Sequence, residues 1–196
     1  MEQKAGSRFD VIMVGLGGKG VLMAGELLGR AAMSKFEHVS WFPSYSSAKR
    51  GESCECTIVM SDEEIPSPVL TQTNVLVVME PSQLMPFQGR VAKGGLIITE
   101  TQGLKDKLDR NDVRIMFIPA VAAAVELGDA VVANMVLLGS YIKSTGTIPL
   151  ELAEKELEER LGGKPEALRL NKAALRKGML LCEQQGITGG VGAKKQ

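Results

Sequence analysis

Short apolar runs alternate with segments of helical pattern along the first part of the chain. The first run, Phe9 to Val14, ends in a glycine cluster, and residues 21–35 then place apolar side chains at helical spacing. Further short apolar runs predict strands: His38 to Phe42, Cys54 to Met60, Val75 to Met79, Leu96 to Thr99 and Val113 to Ile118. Strands that alternate with helices favour an α/β fold.

Two of the predicted strands differ in pattern. Residues 75–79 are continuously apolar, as expected of a strand that is covered on both faces. From Cys54 to Ser61 polar and apolar residues alternate, which predicts one face exposed to water or covered by a partner, and a strand that is antiparallel or near an edge. We therefore predict a three-layer α/β/α fold whose mixed, mostly parallel sheet has about six strands, with a C-terminal helical extension.

The final third of the chain predicts helices. Pro119 opens a helical region that Gly128 divides, and Asp129 caps its second part, which runs to about Lys143. Two more helices are expected, over residues 150–161 and 165–185. We expect one domain over residues 1–196, divided into an α/β core (1–145), C-terminal helices (146–185) and a glycine-rich tail that frays (186–196).

Composition excludes several classes of protein. The chain has 196 residues, of which 44% are hydrophobic, as in a globular protein with a substantial core. Its 23 basic and 23 acidic side chains give a net charge of zero, which argues against nucleic-acid binding, because that requires a basic excess. The most apolar stretch, residues 120–139, is broken by Glu126, Asp129 and Asn134, so we expect no membrane span. At the N-terminus Glu2 and Asp10 lie around a short apolar run that ends at Val14, so we expect no signal peptide. An odd number of cysteines, three, suits a reducing compartment and favours a cytoplasmic protein.

Residues 15–20, Gly-Leu-Gly-Gly-Lys-Gly, form a glycine loop with the spacing G-x-G-x-x-G between a predicted strand and a predicted helix. Amides at a helix N-terminus attract an anion, and Lys19 adds a cation. A dinucleotide site also requires an acidic residue about 20 positions later, and no acidic residue lies between Glu37 and Glu52. Val21 and Leu22 follow the loop, so it is not a P-loop either. Two interpretations stay open: an anion or cofactor site, and a tight turn that only packs helix on strand.

Other candidate residues favour structural roles. The Cys54-x-Cys56 spacing is too short for a zinc or iron–sulfur site, and Cys182 lies far away in the sequence. His38 is the only histidine, so a Ser-His-Asp triad would depend on it alone. We therefore predict no catalytic residue and no metal ligand in this chain.

A second motif lies between two predicted strands, where residues 41–53 read Trp-Phe-Pro-Ser-Tyr-Ser-Ser-Ala-Lys-Arg-Gly-Glu-Ser. Together with the glycine loop and with Ser-Asp-Glu-Glu-Ile-Pro-Ser-Pro at 61–68, it resembles the gamma subunits of 2-oxoacid:ferredoxin oxidoreductases. The resemblance continues to nearly the end of the chain, at residues 94–95, 126–128, 133–135, 139, 171–174 and 178. Three residues depart from the family pattern: Lys19 in place of Gln, Ser46 in place of Gly, and Glu52 in place of the second Gly after Arg50.

The resemblance implies a subunit of a complex that oxidatively decarboxylates a 2-oxoacid with coenzyme A to an acyl-CoA and passes electrons to ferredoxin. This chain lacks a Gly-Asp-Gly diphosphate motif, and three cysteines are too few for a four-cysteine cluster. We therefore expect a non-catalytic subunit, with thiamine diphosphate, magnesium and iron–sulfur clusters on alpha and beta partner subunits or on a delta, ferredoxin-like, subunit. The alternatives are a self-sufficient NAD- or flavin-binding oxidoreductase built on the glycine loop, and a scaffold subunit that binds nothing.

Candidate contacts to coenzyme A come from the glycine loop and the second motif. If the first two strands are neighbours, both segments leave carboxyl ends of strands, where ligands bind in α/β sheets. The candidate binding residues are Gly15, Gly17, Gly18, Lys19, Gly20, Tyr45, Arg50 and Gly51. The alternative role for Arg50 is an ion pair with Glu52 or Glu55.

Two further expectations concern the assembly. A subunit shaped for partners leaves apolar interface area uncovered, so we expect the isolated chain to form a homodimer or to expose an apolar patch. The residues from Trp41 to Tyr45, with Ser61 and Asp62, are closer to the 2-oxoglutarate or branched-chain type than to the pyruvate type. The favoured substrate of the complex is therefore 2-oxoglutarate, with specificity residing on the catalytic subunits.

Overall fold

The computed structural model describes residues 7–45, 52–105, 108, 110–186 and 193–194. In chain order its elements are β1 (Arg8–Leu16), α1 (Val21–Ala32), β2 (His38–Tyr45), β3 (Ser53–Ser61), β4 (Thr73–Val78), α2 (Leu84–Phe87), β5 (Val91–Glu100), β6 (Arg114–Ile118), α3 (Ala120–Leu127), α4 (Ala133–Thr145), α5 (Leu150–Leu161), α6 (Pro165–Gln184) and β7 (Ala193–Lys194). Single turns of 3₁₀ helix lie at Pro81–Gln83, Gln88–Arg90 and Ala130–Val132. None of the helices in these ranges is long and apolar enough to cross a membrane.

The sheet is mixed, with the strand order β2-β3-β1-β4-β5-β6. β1, β4, β5 and β6 run parallel, whereas β3 lies antiparallel between β1 and β2. The first two strands are therefore not neighbours, so the condition set for a shared ligand edge is not met in that form. Both strands still end at the same edge of the sheet, because each is antiparallel to β3 and they therefore run in the same direction. β7 pairs with Arg8 and Phe9, so the tail that was expected to fray contains a short strand.

The two faces of the sheet are covered unequally. The helices α1, α3, α4, α5 and α6 pack on one face and share the larger buried cluster. The short α2 covers part of the other face, where Leu84 packs in a cluster with Ile12 and Val14. The predicted α/β/α layering is confirmed, with a thin third layer, and residues 75–78 of β4 are fully buried as their apolar pattern predicts.

Two glycines allow α4 and α6 to lie in close contact. A Cβ at Gly139 would lie 2.0 Å from the Leu175 carbonyl oxygen, and one at Gly178 would lie 1.9 Å from the Val136 carbonyl oxygen. Ser140 donates a hydrogen bond across this contact to the Gly178 carbonyl oxygen at 3.0 Å. The last long helix is therefore packed directly against the helical layer of the α/β core.

β3 is antiparallel, as its alternating pattern predicts, but most of its polar face is buried: Ser53 is exposed and Glu55 partly exposed, whereas the positions further along this face are buried. Thr57 is 3% exposed and Ser61 is 2% exposed. Arg90 donates a hydrogen bond to Glu55 at 2.6 Å and another to the Leu70 carbonyl oxygen at 2.9 Å. These bonds tie the segment between β3 and β4 to this face, so the chain itself covers it.

A glutamine side chain occupies one residue of an edge strand of the sheet. On the outermost strand β6, the Phe117 N–H donates to Gln185 Oε1 at 3.2 Å, and Gln185 Nε2 donates to the Phe117 carbonyl oxygen. The opposite edge is β2, which within the described ranges pairs with β3 alone. The two edges therefore differ in how many of their main-chain groups are available.

Candidate functional site

The glycine loop joins the end of β1 to the start of α1. Gly18 and Gly20 have φ angles of 94° and 75°, which are left-handed conformations that other residues rarely adopt. Gly15 has a packing reason instead, because a Cβ there would lie 2.8 Å from Val21 Cγ2. The loop therefore turns sharply and holds the first turn of α1 close to β1.

Main-chain N–H groups at the start of α1 are available to a ligand. The first helical bond runs from the N–H of Ala24 to the Gly20 carbonyl oxygen at 3.1 Å, so the N–H groups of residues 21–23 precede the helical ladder. Within the described chain no side chain caps this end. Gly17, in contrast, donates its N–H to the Glu52 carbonyl oxygen at 2.9 Å. Among the described residues no acceptor binds the N–H groups of residues 21–23, so these groups can bind an anion.

Clefts open on both sides of the glycine loop. The larger, of about 400 Å³, is lined by residues 16–18 and 20–23 on one side and by residues 52–54 at the start of β3 on the other. The smaller, of about 100 Å³, lies between the loop and residues 130–134. The larger cleft lies next to the free amides and is within the size range of small-molecule sites.

Lys19 is already paired. Its Nζ lies 3.1 Å from Oε2 of Glu80, and the two side chains are 47% and 23% exposed. Lys19 follows β1 and Glu80 follows β4, its parallel neighbour, so the pair lies at the carboxyl edge of the sheet. This is the edge where ligands bind in α/β sheets. The predicted cation is thus at the expected place, but a carboxylate offsets its charge.

Tyr45 ends β2 near the same edge. Its Cα pairs with that of Cys54, which in turn pairs with Gly15 in β1. Because β3 lies between, the main chain at Tyr45 is two strands from the glycine loop, roughly 10 Å away at standard strand spacing. The two motifs therefore share an edge of the sheet without being adjacent.

The rest of the second motif stays a prediction. Arg50 and Gly51 lie outside the described residues, so their expected contacts to coenzyme A stay untested. Of the alternative partners for Arg50, Glu55 is engaged by Arg90, with 2.6 Å between Oε1 and the guanidinium nitrogen.

Asn134, at the start of α4, is the residue that sequence reasoning missed. Its Nδ2 donates a hydrogen bond to the Gly20 carbonyl oxygen at 3.1 Å, across a sequence separation of 114 residues. The only sequence signal was the Ala133-Asn134-Met135 motif, which carried the family resemblance but no role.

The cysteines are poor nucleophiles because they are buried. Burial raises the pKa of Cys56 to about 12 and that of Cys182 to about 11. It also raises the pKa of Cys54, which lines the larger cleft. None of these thiols forms a disulfide within the described residues, and they stay protonated near neutral pH. In the part of the chain that the structure describes, no three His, Cys, Asp or Glu residues are grouped to hold a metal ion.

Residues 10–181 match the family model described as pyruvate ferredoxin/flavodoxin oxidoreductase. The chain belongs to this family. The ketoisovalerate oxidoreductase subunit VorA of Methanothermobacter marburgensis is 36% identical over 129 residues, which make up 66% of this chain and 27% of VorA. The 2-oxoglutarate synthase subunit KorC of the same organism is 30% identical over 159 residues, covering 77% of this chain and 85% of KorC. The chain thus spans little more than a quarter of VorA but most of KorC.

Solved structures of this oxidoreductase family share the fold. The gamma subunit of a keto/oxoacid ferredoxin oxidoreductase from Geobacter sulfurreducens matches with a TM-score of 0.76 and 23% identity, over 90% of this chain and 99% of that one. A chain of the Magnetococcus marinus 2-oxoglutarate:ferredoxin oxidoreductase, solved with 2-oxoglutarate, coenzyme A and succinyl-CoA bound, matches with a TM-score of 0.86 and 18% identity, over 96% of this chain and 33% of that one. The family resemblance and the α/β fold expected from the motifs are confirmed.

Proposed function

We propose that this chain is the gamma subunit of a multi-subunit 2-oxoacid:ferredoxin oxidoreductase and that its glycine loop binds the diphosphate of coenzyme A. The complex oxidatively decarboxylates a 2-oxoacid with coenzyme A to an acyl-CoA, and the electrons go to ferredoxin. Family membership supports the enzyme class. The match covers 85% of KorC, which supports a separate subunit. It covers only 27% of VorA, which supports a unit of this kind that also forms part of longer chains.

The observation that carries the coenzyme A proposal is the larger cleft beside the glycine loop. The free N–H groups of residues 21–23 lie at the positive end of the 12-residue helix α1, which favours a diphosphate. Leu22, Met23 and Cys54 give the cleft apolar walls suited to the pantetheine chain. The Magnetococcus marinus enzyme, with coenzyme A and succinyl-CoA bound, supports this class of ligand.

In this proposal the redox chemistry lies on partner subunits in the cytoplasm. Alpha and beta subunits, or a delta subunit, hold thiamine diphosphate, magnesium and the iron–sulfur clusters, since the three cysteines of this chain fall short of one four-cysteine cluster. We retain 2-oxoglutarate as the substrate on the pattern from Trp41 to Tyr45 with Ser61 and Asp62, and because KorC is 30% identical to this chain, against 27% for the pyruvate synthase subunit PorC of Thermotoga maritima.

Calorimetric titration of the full chain with coenzyme A, pantetheine and NAD tests the ligand. We expect coenzyme A to bind, and pantetheine, which lacks the diphosphate, to bind at least about tenfold more weakly. NAD binding as tight as that of coenzyme A would favour a dinucleotide site instead, and no binding of either would leave a scaffold subunit. Turnover of 2-oxoacids by the purified chain alone would contradict the non-catalytic assignment.

A further inference from the structure

The glycine loop is held from the side of α4 by a buried side chain. Asn134 is 4% exposed, and its Nδ2 donates to the Gly20 carbonyl oxygen at 3.1 Å. The same oxygen accepts the first helical bond of α1 from the Ala24 N–H. A Cβ at Gly20 would lie 2.3 Å from Asn134 Nδ2, so the missing side chain of Gly20 leaves the space that the asparagine amide occupies.

The direction of the Gly20 carbonyl determines where the next amide points. In a trans peptide the C=O and N–H groups point in opposite directions, and the described chain has no cis peptide bond. With its carbonyl directed along α1 toward Ala24 and Asn134, the Gly20–Val21 peptide directs the Val21 N–H out of the helix N-terminus. Elsewhere in the loop the Gly17 N–H donates to the Glu52 carbonyl oxygen at 2.9 Å and the Lys19 N–H to the Leu16 carbonyl oxygen at 3.0 Å, but neither bond involves the Gly20–Val21 peptide.

We propose that Asn134 is a positioning residue for the anion site of the glycine loop. It does not contact the ligand, and it holds the Gly20–Val21 peptide in the orientation that presents the Val21 N–H. This inference rests on the proposed function, in which the amides of residues 21–23 bind the diphosphate of coenzyme A.

A matched asparagine elsewhere in the chain distinguishes the positioning role of Asn134 from a purely structural one. Asn171 in α6 is 8% exposed, and its Nδ2 donates to the Ala167 carbonyl oxygen at 2.8 Å. Asn134→Ala and Asn171→Ala thus each remove one side-chain amide donor from a main-chain carbonyl. Only the first change lies at the loop.

The test measures coenzyme A affinity and amide hydrogen exchange on the full chain. We expect Asn134→Ala to raise the Kd about tenfold and to speed exchange at residues 18–24, whereas Asn171→Ala changes neither. Asn134→Leu removes the same donor at similar size without adding a charge and should act in the same direction, so the result does not depend on one variant folding. An unchanged Kd in both Asn134 variants, or an equal rise in Asn171→Ala, would overturn the proposal.

Failure of the proposed function would look different. If the unmodified chain does not bind coenzyme A, the ligand assignment is wrong. The exchange rates at residues 18–24 are measured without ligand, and they then decide whether Asn134 orders the loop. Exchange as slow in Asn134→Ala as in the unmodified chain would rule the positioning role out.

Discussion

The carboxylate of Glu100 accepts a hydrogen bond from the Val121 N–H at 2.8 Å, so the last residue of β5 caps the first turn of α3. Its other oxygen accepts the N–H groups of Thr101 at 2.8 Å and Gln102 at 2.7 Å. Glu100 is 2% exposed. A single buried carboxylate therefore fixes the main chain at two points of the carboxyl edge.

Glu100→Gln should destabilise the protein by about 2 kcal/mol, because one end of the amide presents N–H groups to main-chain donors. The matched control is Glu126→Gln on α3, where the side chain is exposed and pairs with Lys177 at 3.1 Å. That change should cost at most about 0.5 kcal/mol, as exposed ion pairs contribute little. Urea unfolding measures both, and equal costs would contradict the capping role.

Glu80→Gln should strengthen coenzyme A binding roughly threefold, because it releases the charge of Lys19 beside the glycine loop. The gain should shrink at high salt, since exposed charges are screened. Glu64→Gln removes an exposed carboxylate beyond the end of β3, at the opposite end of the sheet, and should leave the Kd unchanged. If titration calorimetry finds the same affinity for Glu80→Gln and for the unmodified chain, Lys19 does not contribute to coenzyme A binding.

Gly20→Ala should cost more stability than Gly18→Ala. Both positions have positive φ, which costs about 1–2 kcal/mol for a residue with a Cβ. Only at Gly20 would the Cβ also collide, 2.3 Å from Asn134 Nδ2, whereas at Gly18 nothing lies within 4 Å. Urea unfolding of the two variants gives the difference. Equal losses would mean that the contact with Asn134 relaxes freely.

Cys56 should make the protein less stable at high pH. Burial raises the pKa of this thiol from 9.0 to about 12. In the unfolded chain the thiol ionises near pH 9, whereas in the folded chain it stays neutral. The contribution of the neutral thiol to the free energy of unfolding is therefore complete below about pH 9. It is lost as the pH rises toward 12, by up to about 1.4 kcal/mol per pH unit. Cys56→Ala should reduce this slope in urea unfolding at about pH 8.5 and about pH 10.5, and an unchanged slope would show that other groups dominate.

Phe42→Lys should weaken association of the isolated chain without lowering its melting temperature. Phe42 is 43% exposed on the edge strand β2, next to Trp41, which is 38% exposed. Consecutive strand residues point to opposite faces of the sheet, so Phe42 is an exposed aromatic on the face opposite Trp41. Exposed aromatic side chains are typical of interaction surfaces. Leu180→Lys on α6, where the side chain is 55% exposed, serves as the control. Sedimentation velocity on both variants decides, and equal association in the two would locate the contact elsewhere.

Local patterns predicted most elements, because the periodicity of apolar residues follows from the face that each element buries. Helix α5 begins and ends at Leu150 and Leu161, as predicted. The position of β3 between β1 and β2 was not predictable, since strand order depends on pairing between distant segments. The helical turns over residues 81–90 have no periodic pattern, and they were missed.

The candidate site was also predictable only where its features are local in sequence. The spacing of Gly15, Gly17 and Gly20 indicated a turn with a helix start behind it, since those features are local. The partners of that loop are not local: Glu80 pairs with Lys19, and Asn134, 114 residues further along the chain, donates a hydrogen bond to Gly20. Such contacts exist only after folding, so no pattern along the chain carries them.

The side-chain amide of Gln185 occupies the main-chain groups of Phe117 and acts as a one-residue strand on β6. Polymerisation by strand addition requires two free sheet edges on each molecule, so that each molecule can pair with one neighbour on either side. With β6 occupied at Phe117, two molecules that join through their β2 edges form a closed pair to which no third can be added by the same contact. Removal of this glutamine would free the main-chain groups of Phe117 for pairing with a second chain.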